Sequence, residues 1–349
     1  MGTCIVGTGC FLPERAVTNE MLAEILTKWP PKKIKKFLGI DTRHILCDYD
    51  VESGEAVLPE TGPKCGVDMG LLAARDALEQ ANIQPSQVTR LLLTSGTPDH
   101  NSYSMDVQRM KQELGLDVGT KVLQTNKACD GALAMISLAD DLLRGNQEEV
   151  ILVVAVNFAS AYLNNRVYAD LRGQLPAYIF GDGAGAVVMR WVEGKPGVVA
   201  SHNGSFHKED FVSCAGGGAL YPPYATRTDP THMATVVHGQ QTAQLAPPLI
   251  AECVTTVLQA GGKVPTDVAR FYLHQINGLL VTAVANQLEL PLDRVPIHAS
   301  RYGNTAAAST LILLAEDVRD GVVTLGSGEF VCFASPGAGV EYHGHLISL

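Results

Sequence analysis

Two kinds of apolar pattern alternate along this chain, and together they predict an α/β protein. Short runs rich in β-branched residues, such as 88–95 and 150–156, are typical of buried strands. Longer segments between them place apolar residues at helical spacing, most clearly at 66–81 and 132–143. Strands that alternate with amphipathic helices favour a parallel sheet with helices packed on its faces.

The two parts of the chain repeat this pattern. The segment PSQVTRLLL at 85–93 matches PTDVARFYL at 265–273, and an amphipathic helix precedes each. The predicted helix 132–145, with the strand after it, matches the helix 306–321 with its own following strand. Two matches in the same order indicate a duplicated βαβ-rich unit.

The duplication predicts two structural halves, residues 1–178 and 179–349, that meet near 176–183. It also places Cys129 and Asn304 at matching helix entrances. In a pseudo-symmetric pair of parallel sheets, such entrances can face one site. Both positions are therefore candidates for chemistry.

Composition and charge narrow the class of protein. The 349 residues are 46% hydrophobic and 18% charged, which suits a folded protein with a large core. A net charge of −10 argues against a general nucleic-acid binder. No stretch is long and apolar enough to span a membrane, and the start MGTCIVGTGC has no basic leader, so a cytoplasmic protein is expected. Eight cysteines without CxxC pairs favour reduced thiols over a disulfide framework or a metal site.

Cys129 is the candidate nucleophile. It lies where the predicted strand 122–125 ends and the helix 132–143 begins. The unpaired amides and the positive dipole at a helix start favour an anion, so we expect this thiol to lose its proton more easily. Small neighbours would let a substrate approach closely. A lone cysteine is also often just a small buried hydrophobe, so other residues have to support the chemistry.

Three further segments carry candidate polar groups. His274 directly follows the buried strand 271–273 in YLHQIN, at the end of a strand where α/β proteins bind ligands. Asn304 lies in RYGNTAAAS, a turn that opens a helix. The glycine loop 337–339 between two strands could present backbone amides to an oxyanion. Each also has a structural interpretation: a buried histidine, a helix cap and a hairpin turn.

The GDGAG segment at 181–185 lacks GK[ST] and leads into a strand, so we interpret it as a tight turn.

Taken in order, NKACDGAL, IFGDGAGA, YLHQIN, YGNTAAAS and SPGAGV resemble the thiolase-fold condensing enzymes, specifically β-ketoacyl-[acyl-carrier-protein] synthase III. GTGCFLPERAVTN and LGIDTRHI fit the opening motifs of that family, so the resemblance covers essentially the whole chain. It implies a thiolase-like fold, with duplicated βαβαβαββ halves in a five-layered αβαβα architecture. By the same resemblance, Cys129 would accept the acyl group, while His274 and Asn304 would stabilise an enolate. The amides of Cys129 and Ala338 would form the oxyanion hole.

The resemblance also implies a reaction. An acyl group moves from a thioester to Cys129, and a malonyl or β-ketoacyl thioester then forms a carbon–carbon bond with it. Substrates would arrive as CoA or phosphopantetheine thioesters, with no cofactor. A homodimer is expected, with the strand 150–156 and its flanking loop as candidates for the interface. The irregular segments 159–176 and 203–239 are expected to line the acyl tunnel or the interface.

One departure from the family concerns the acyl donor. Members that take acyl-CoA often carry a Trp, and an Arg four residues later, before the TGI-like motif. This chain has Lys33 and Phe37 at those positions, with Trp29 out of register. The departure favours a phosphopantetheine arm on an acyl carrier protein, and a role in polyketide or other secondary metabolism. The docking candidates are Lys32, Lys33, Lys35 and Lys36, although such a lysine run can also be a solvated helix face.

Three other interpretations stay open. The first is an acyltransferase of the same fold that forms an ester or amide, although an intact Asn304 favours condensation. The second is a papain-like cysteine protease, since Cys129, His274 and Asn304 occur in that order, but no CGSCW-like signature is present. The third is an inactive scaffold subunit, against which the intact set of three residues argues.

Overall fold

A computed structural model describes residues 2–26, 28–50, 56–101, 103–162, 171–208, 211–214, 219, 221–222 and 235–349. Its strands are β1 (Gly2–Phe11), β2 (Ala16–Thr18), β3 (Thr42–His44), β4 (Asp48–Tyr49), β5 (Ala56–Val57), β6 (Arg90–Ser95), β7 (Lys121–Thr125), β8 (Val150–Asn157), β9 (Gly183–Val192), β10 (Val198–Lys208), β11 (Val212–Ser213), β12 (Val236–Val237), β13 (Val268–Leu273), β14 (Phe330–Gly337) and β15 (Gly339–Ser348). Its helices are α1 (Asn19–Ala23), α2 (Pro31–Leu38), α3 (Gly66–Gln80), α4 (Met105–Glu113), α5 (Gly131–Gly145), α6 (Leu171–Ile179), α7 (Gly239–Ala260), α8 (Gly278–Gln287), α9 (Ala299–Tyr302) and α10 (Ser309–Arg319).

Two sheets carry the fold. The first has the strand order β1-β9-β8-β6-β7. In it β6 runs parallel to β7 and β8, whereas β9 is antiparallel to both β8 and β1. The second sheet has the order β10-β15-β14-β13, with β13 and β14 parallel and the other pairs antiparallel. Both sheets are therefore mixed rather than purely parallel.

Sheets and helices stack in five layers. Helix α3 packs on one face of the first sheet with α4 beside it, while α5 and α10 lie between the two sheets. Helix α7, with α8 beside it, covers the far face of the second sheet. Strand β8 is buried on both faces, since Val153 faces the central layer and Val154 faces the outer layer. This explains why its sequence is an unbroken apolar run. The predicted αβαβα layering is confirmed.

The duplication is visible in the elements. A 3₁₀ turn, Pro85–Gln87, leads into β6, and a second one, Pro265–Asp267, leads into β13. Helices α5 and α10 occupy the shared central layer. Strand β9 pairs with β1 and β8 in the first sheet, although it lies beyond the predicted boundary between residues 178 and 179. By sheet membership, the change of half comes between β9 and β10.

Several predicted segments differ from the structure. Strand β10 continues to Lys208 through a region expected to be a loop from residue 203, because pairing with β15 satisfies its backbone. The apolar pattern predicts a helix over 246–260, whereas helix α7 begins at Gly239 and continues through Pro247 and Pro248. It also predicts a helix over 19–28, whereas α1 ends at Ala23. Parts of the irregular segments 159–176 and 203–239, namely 163–170, 209–210, 215–218, 220 and 223–234, lie outside the described residues.

The expected dimer strand is wrong. Residues 150–156 belong to β8, which lies between β6 and β9 in the first sheet. Nearly all of its residues are buried, so it has no free edge or face for a partner chain. A homodimer stays a prediction. Among the described residues, no helix is long and apolar enough to cross a membrane.

Candidate active site

A cavity of about 980 Å³ is lined by the four residues predicted for catalysis and the oxyanion hole. Its wall includes Cys129 from the turn before α5 and His274 from the end of β13. Asn304 reaches it from the turn before α10, and Ala338 from the link between β14 and β15. The fold thus brings together four residues that are far apart in the sequence. Their chemical roles stay a prediction.

The thiol of Cys129 is held in its protonated form. The residue is partly exposed toward the cavity, and its carbonyl oxygen accepts a hydrogen bond of 2.8 Å from Ser335 Oγ. Burial, and then the negative charge of Asp130, raise the pKa of the Cys129 thiol to about 12. The expectation that the helix entrance eases deprotonation is wrong for this state, because desolvation outweighs the backbone contribution. A base must take the proton before the sulfur can attack.

His274 contributes a buried imidazole to the cavity wall. Its backbone N–H donates to Ala334 O over 2.8 Å, and its Nδ1 lies 3.1 Å from Ser309 Oγ. The Ser309 hydroxyl donates to Ala306 O over 2.8 Å, so we assign the proton to Nδ1, from which the hydroxyl oxygen accepts. Burial lowers the pKa of His274 to about 4. A neutral imidazole with an unprotonated Nε2 can accept the thiol proton of Cys129.

Asn304 presents a fixed amide. Its backbone N–H donates to Ile179 O over 2.8 Å, and its carbonyl oxygen accepts from Gly181 N over 3.0 Å. The side-chain Oδ1 accepts from Ala306 N over 2.8 Å in an Asx turn, which also accounts for the expected cap-like role. Within the described ranges no residue accepts from Nδ2. The donor end of the amide is therefore available to a ligand.

The loop 337–339 is both a hairpin link and a wall of the cavity. It joins the antiparallel strands β14 and β15, and Pro336 and Ala338 line the cavity with Cys129. A Cβ atom at Gly337 would lie 1.9 Å from Asp130 Oδ1, so only glycine fits against that carboxylate. Ala338 thus lies in a loop packed on the nucleophile turn, and its role as an oxyanion donor stays a prediction.

The prediction that the GDGAG segment 181–185 is a tight turn is wrong for its second part, because Gly183–Gly185 already belong to β9 and only the first two residues precede the strand. Its aspartate, Asp182, is fully buried and accepts hydrogen bonds from Leu46 N (2.7 Å), Ser160 N (2.9 Å) and Ser160 Oγ. Burial raises the pKa of Asp182 to about 6. Because Ala159 and Tyr162 line the cavity, this carboxyl anchors one of its walls.

The lysine run lies beside a part of the cavity wall that is open to solvent, since Phe37 is 53% exposed and lines the cavity. Trp29 and Phe37 line it, and the Nζ of Lys33 lies 4.9 Å from the Trp29 ring centroid. Trp29 also stacks on Tyr178, with centroids 6.0 Å apart and planes at 8°. All four docking candidates are exposed on α2: Lys32, Lys33, Lys35 and Lys36. Lys35 pairs with Asp41 at 2.7 Å, which partly neutralises it.

Sequence reasoning missed three residues that hold the site. Ser309 is the polar end of an alanine run at a helix start, and that contrast was its only signal. Asp130 is a charge inside a turn of small residues. Gln275 is fully buried, and its Oε1 accepts from the backbone N–H of His298 (2.9 Å) and Ala299 (3.2 Å), which ties the end of β13 to the segment before Asn304. In the part of the chain that the structure describes, no group of three or more His, Cys, Asp or Glu side chains is placed to hold a metal ion.

Comparisons with known proteins agree with this geometry. The family model of 3-oxoacyl-[acyl-carrier-protein (ACP)] synthase III matches residues 123–205, and the model of its C-terminal part matches 258–349. A β-ketoacyl-[acyl-carrier-protein] synthase III of Rhodospirillum centenum is 28% identical over 351 residues, covering 98% of each chain. The crystal structure of 3-oxoacyl-(acyl carrier protein) synthase III from Pseudomonas aeruginosa PAO1 superposes with a TM-score of 0.82 at 26% identity, covering 100% of this chain and 98% of that one. The priming β-ketosynthase of the R1128 polyketide pathway superposes at 0.81 with 24% identity over 100% and 96% of the two chains, and so shows the fold alone.

The fold and these matches define a thiolase-fold condensing enzyme, as the motifs predicted. Within that class, the chain belongs with β-ketoacyl-[acyl-carrier-protein] synthase III and its relatives.

Proposed function

We propose that the protein transfers an acyl group from a thioester to Cys129 and then joins it to a malonyl or β-ketoacyl thioester by a Claisen-type reaction. One observation carries this proposal: a thiol, a neutral imidazole, a free amide donor and a glycine-flanked loop face the same cavity. The four residues are Cys129, His274, Asn304 and Ala338.

The first half-reaction uses His274 as a base. Its Nε2 takes the proton of the Cys129 thiol, and the resulting thiolate attacks the carbonyl carbon of the acyl thioester. The oxyanion that forms accepts hydrogen bonds from the amides of Cys129 and Ala338. When the tetrahedral intermediate collapses, the leaving thiolate takes the proton back from His274 and departs as a thiol. The acyl group remains on Cys129 as a thioester.

The second half-reaction needs hydrogen-bond donors to an enolate, and no base is needed to deprotonate Cys129. A malonyl thioester loses CO2, or a β-ketoacyl thioester gives its α-proton to a water molecule, and either step places negative charge on the thioester oxygen of the second substrate. Asn304 Nδ2 is one donor to that enolate. His274 Nε2 is the second donor, in the neutral tautomer that carries its proton on Nε2. This tautomer forms when the Ser309 hydroxyl turns away from Ala306 O and donates to Nδ1 instead. The enolate carbon then attacks the acyl thioester, and Cys129 leaves as a thiolate that is reprotonated from water.

The proposed donor is an acyl chain on the phosphopantetheine arm of an acyl carrier protein. In support, the exposed lysines of α2 lie beside the solvent-open part of the cavity wall on a chain whose net charge is −10. A local positive patch of this kind suits an acidic partner. We extend the proposal to polyketide or other secondary metabolism because Lys33 and Phe37 replace the Trp and Arg of CoA-using relatives. Thioester substrates need no further cofactor.

Intact-protein mass spectrometry tests the proposal. The protein is incubated with a panel of acyl-CoA and acyl-carrier-protein thioesters, and wild type is compared with Cys129→Ala. Cys214→Ala is the matched control, because Cys214 is a second thiol lining the same cavity. We expect an acyl adduct on wild type and on the control, and none on Cys129→Ala.

Adding a malonyl or β-ketoacyl thioester should then discharge the adduct into a β-ketoacyl product. Discharge onto an alcohol or amine, with no new carbon–carbon bond, would favour the acyltransferase interpretation. An absence of adduct from every donor would contradict the mechanism and favour an inactive scaffold.

A further inference from the structure

A buried carboxylate that the proposed reaction does not use follows the nucleophile directly. Asp130 is 1% exposed, and its Oδ2 lies 3.0 Å from Nδ1 of His343 on β15. Lys127 Nζ lies 4.0 Å from the same oxygen and also pairs with Glu341. A carboxylate is rarely removed from water unless it is paired, and this one is held mainly by an imidazole from the other half of the chain.

The other carboxylate oxygen faces the loop that carries Ala338. A Cβ atom at Gly337 would lie 1.9 Å from Asp130 Oδ1 and 3.0 Å from the Asp130 backbone nitrogen. Asp130 therefore fills the space between the nucleophile turn and this loop. Any movement of the carboxylate would move Gly337, and with it the amide of Ala338.

The strands on both sides of the loop hold the same turn. Ser335 on β14 donates to the carbonyl oxygen of Cys129 over 2.8 Å. Its register partner on β15 is His343, which holds Asp130. The turn is thus fastened at two successive residues, once through a hydroxyl group and once through an imidazole.

We propose that Asp130 is a positioning residue, whose carboxylate, held by His343, sets the distance between the Cys129 and Ala338 amides of the oxyanion hole. The inference rests on the proposed function, because it assigns a purpose to Asp130 only if Cys129 is acylated. Asp130 touches no reacting atom in this scheme.

Two reactions of the same thiol separate this role from general damage to the fold. Acylation by a thioester passes through an oxyanion and needs both amides. Alkylation by iodoacetamide displaces iodide at carbon, forms no oxyanion and needs only the thiolate. The ratio of the two rates therefore reports the oxyanion hole. A residue that merely stabilises the protein would change both rates together or neither.

The experiment measures both rates at one pH for wild type and four variants, with Cys129 followed by peptide mass spectrometry. For Asp130→Ala we expect acylation to fall by about 10²-fold, as for a lost oxyanion donor, while alkylation stays equal or rises because a neighbouring negative charge is gone. Asp130→Asn should recover most of the acylation, since its amide oxygen can accept from His343. Asp141→Asn, an exposed site on α5, is the matched control and should change neither rate.

Gly337→Ala provides a second route in case Asp130→Ala does not fold. The added methyl group would contact the Asp130 carboxylate from the loop, so Gly337→Ala should also lower the rate of acylation more than the rate of alkylation. Equal loss of both rates in the folded variants, or no loss of acylation in Asp130→Ala, would overturn the inference while leaving the proposed function intact. A wild-type protein that no donor acylates would overturn both.

Discussion

The two helix entrances at the centre of the molecule are equivalent in the fold but differ in charge. The entrance to α5 carries Cys129 among ionisable side chains, with Asp130 paired to His343. At the entrance to α10, Asn304 is held by the amide of Ala306 and by backbone groups, without any carboxylate among these contacts. One duplicated framework therefore supports two electrostatically different sites.

The difference fits the charge that each side would meet. On the Cys129 side, burial and then the nearby Asp130 carboxylate raise the pKa of the thiol to about 12. On the Asn304 side, an enolate carries negative charge, and a carboxylate there would repel it. His274 lines the same cavity as both, and burial lowers its pKa to about 4. A neutral imidazole can serve as base in one step and as donor in the next.

The largest effect is expected when the side-chain amide of Asn304 is removed. For Asn304→Ala we expect acylation of Cys129 to be unchanged and condensation to fall by about 10²–10³-fold, because one of two donors to the enolate is lost. Single-turnover assays of each half-reaction measure the split. His274→Ala is the comparison variant and should slow both halves. Equal slowing of both halves by Asn304→Ala would show that the residue has no separate role.

Much of this comparison could be predicted from the sequence, because it depends on local pattern. Cys129, His274 and Asn304 each stand where a strand ends or a helix begins, and apolar periodicity locates such places. The same periodicity and the repeated order of elements predicted a duplicated α/β unit, whereas the five layers were implied by the family resemblance of the motifs. The residues at these strand ends and helix starts could therefore be identified as candidate site residues from the sequence pattern.

Contacts between distant segments could not be predicted in this way. Asp130 and His343 are 213 positions apart, and no local pattern links them. The protonated state of Cys129 was also missed, because the helix entrance is visible in sequence while the burial of the thiol arises only when both sheets close around it. The placement of β9 in the first sheet depends on pairing across the whole domain, which a repeat at the boundary does not reveal.

Acid should destabilise the protein through its buried histidines. Burial lowers the pKa of His274 to about 4, of His298 to about 3 and of His345 to about 4, against about 6.5 for an unfolded chain. Between these values the unfolded state binds more protons, so the free energy of unfolding should fall as pH decreases from 6.5 towards 4. Asp182, with its pKa raised to about 6, binds protons in the folded state and opposes part of this loss below pH 6.

Denaturant melts at pH 7.5, 6.5, 5.5 and 4.5 measure this effect, and His298→Asn tests one contribution. Its Nδ1 has no partner among the described residues, and the substitution removes only the long 3.4 Å contact between Nε2 and Thr305 Oγ1. The variant should lose less stability than wild type between pH 6.5 and 4.5. An equal loss would mean that His298 does not contribute.

A smaller effect is expected from the hydroxyl that selects the tautomer of His274. Ser309→Ala removes the acceptor of Nδ1–H and leaves a buried donor unsatisfied, which costs about 1–3 kcal/mol, or roughly tenfold in rate for each 1.4 kcal/mol that appears in the transition state. Acylation, which uses the Nδ1-protonated tautomer, should be slowed more than condensation. Ser309→Thr keeps the hydroxyl and should recover the rate.

Nitrogen-15 NMR of labelled histidine reports the tautomer directly. Wild type should show His274 protonated at Nδ1, and Ser309→Ala should show a mixture. An unchanged tautomer with an unchanged rate would remove Ser309 from the mechanism and leave the two helix entrances to differ in charge alone.

The smallest effect is expected at the lysine run beside the solvent-open part of the cavity wall, far from both entrances. Lys32→Glu combined with Lys36→Glu reverses two exposed charges on α2 and should raise KM for an acyl-carrier-protein donor by about tenfold at low salt, and less at high salt, because steering by surface charge is screened. KM for the matching acyl-CoA should change less, since CoA lacks the extended acidic surface of a carrier protein. Lys195→Glu, an exposed lysine in the turn between β9 and β10, is the matched control. An equal rise in KM for both donors would place the effect on the shared phosphopantetheine arm, and no rise for either would leave the lysine run as a solvated helix face.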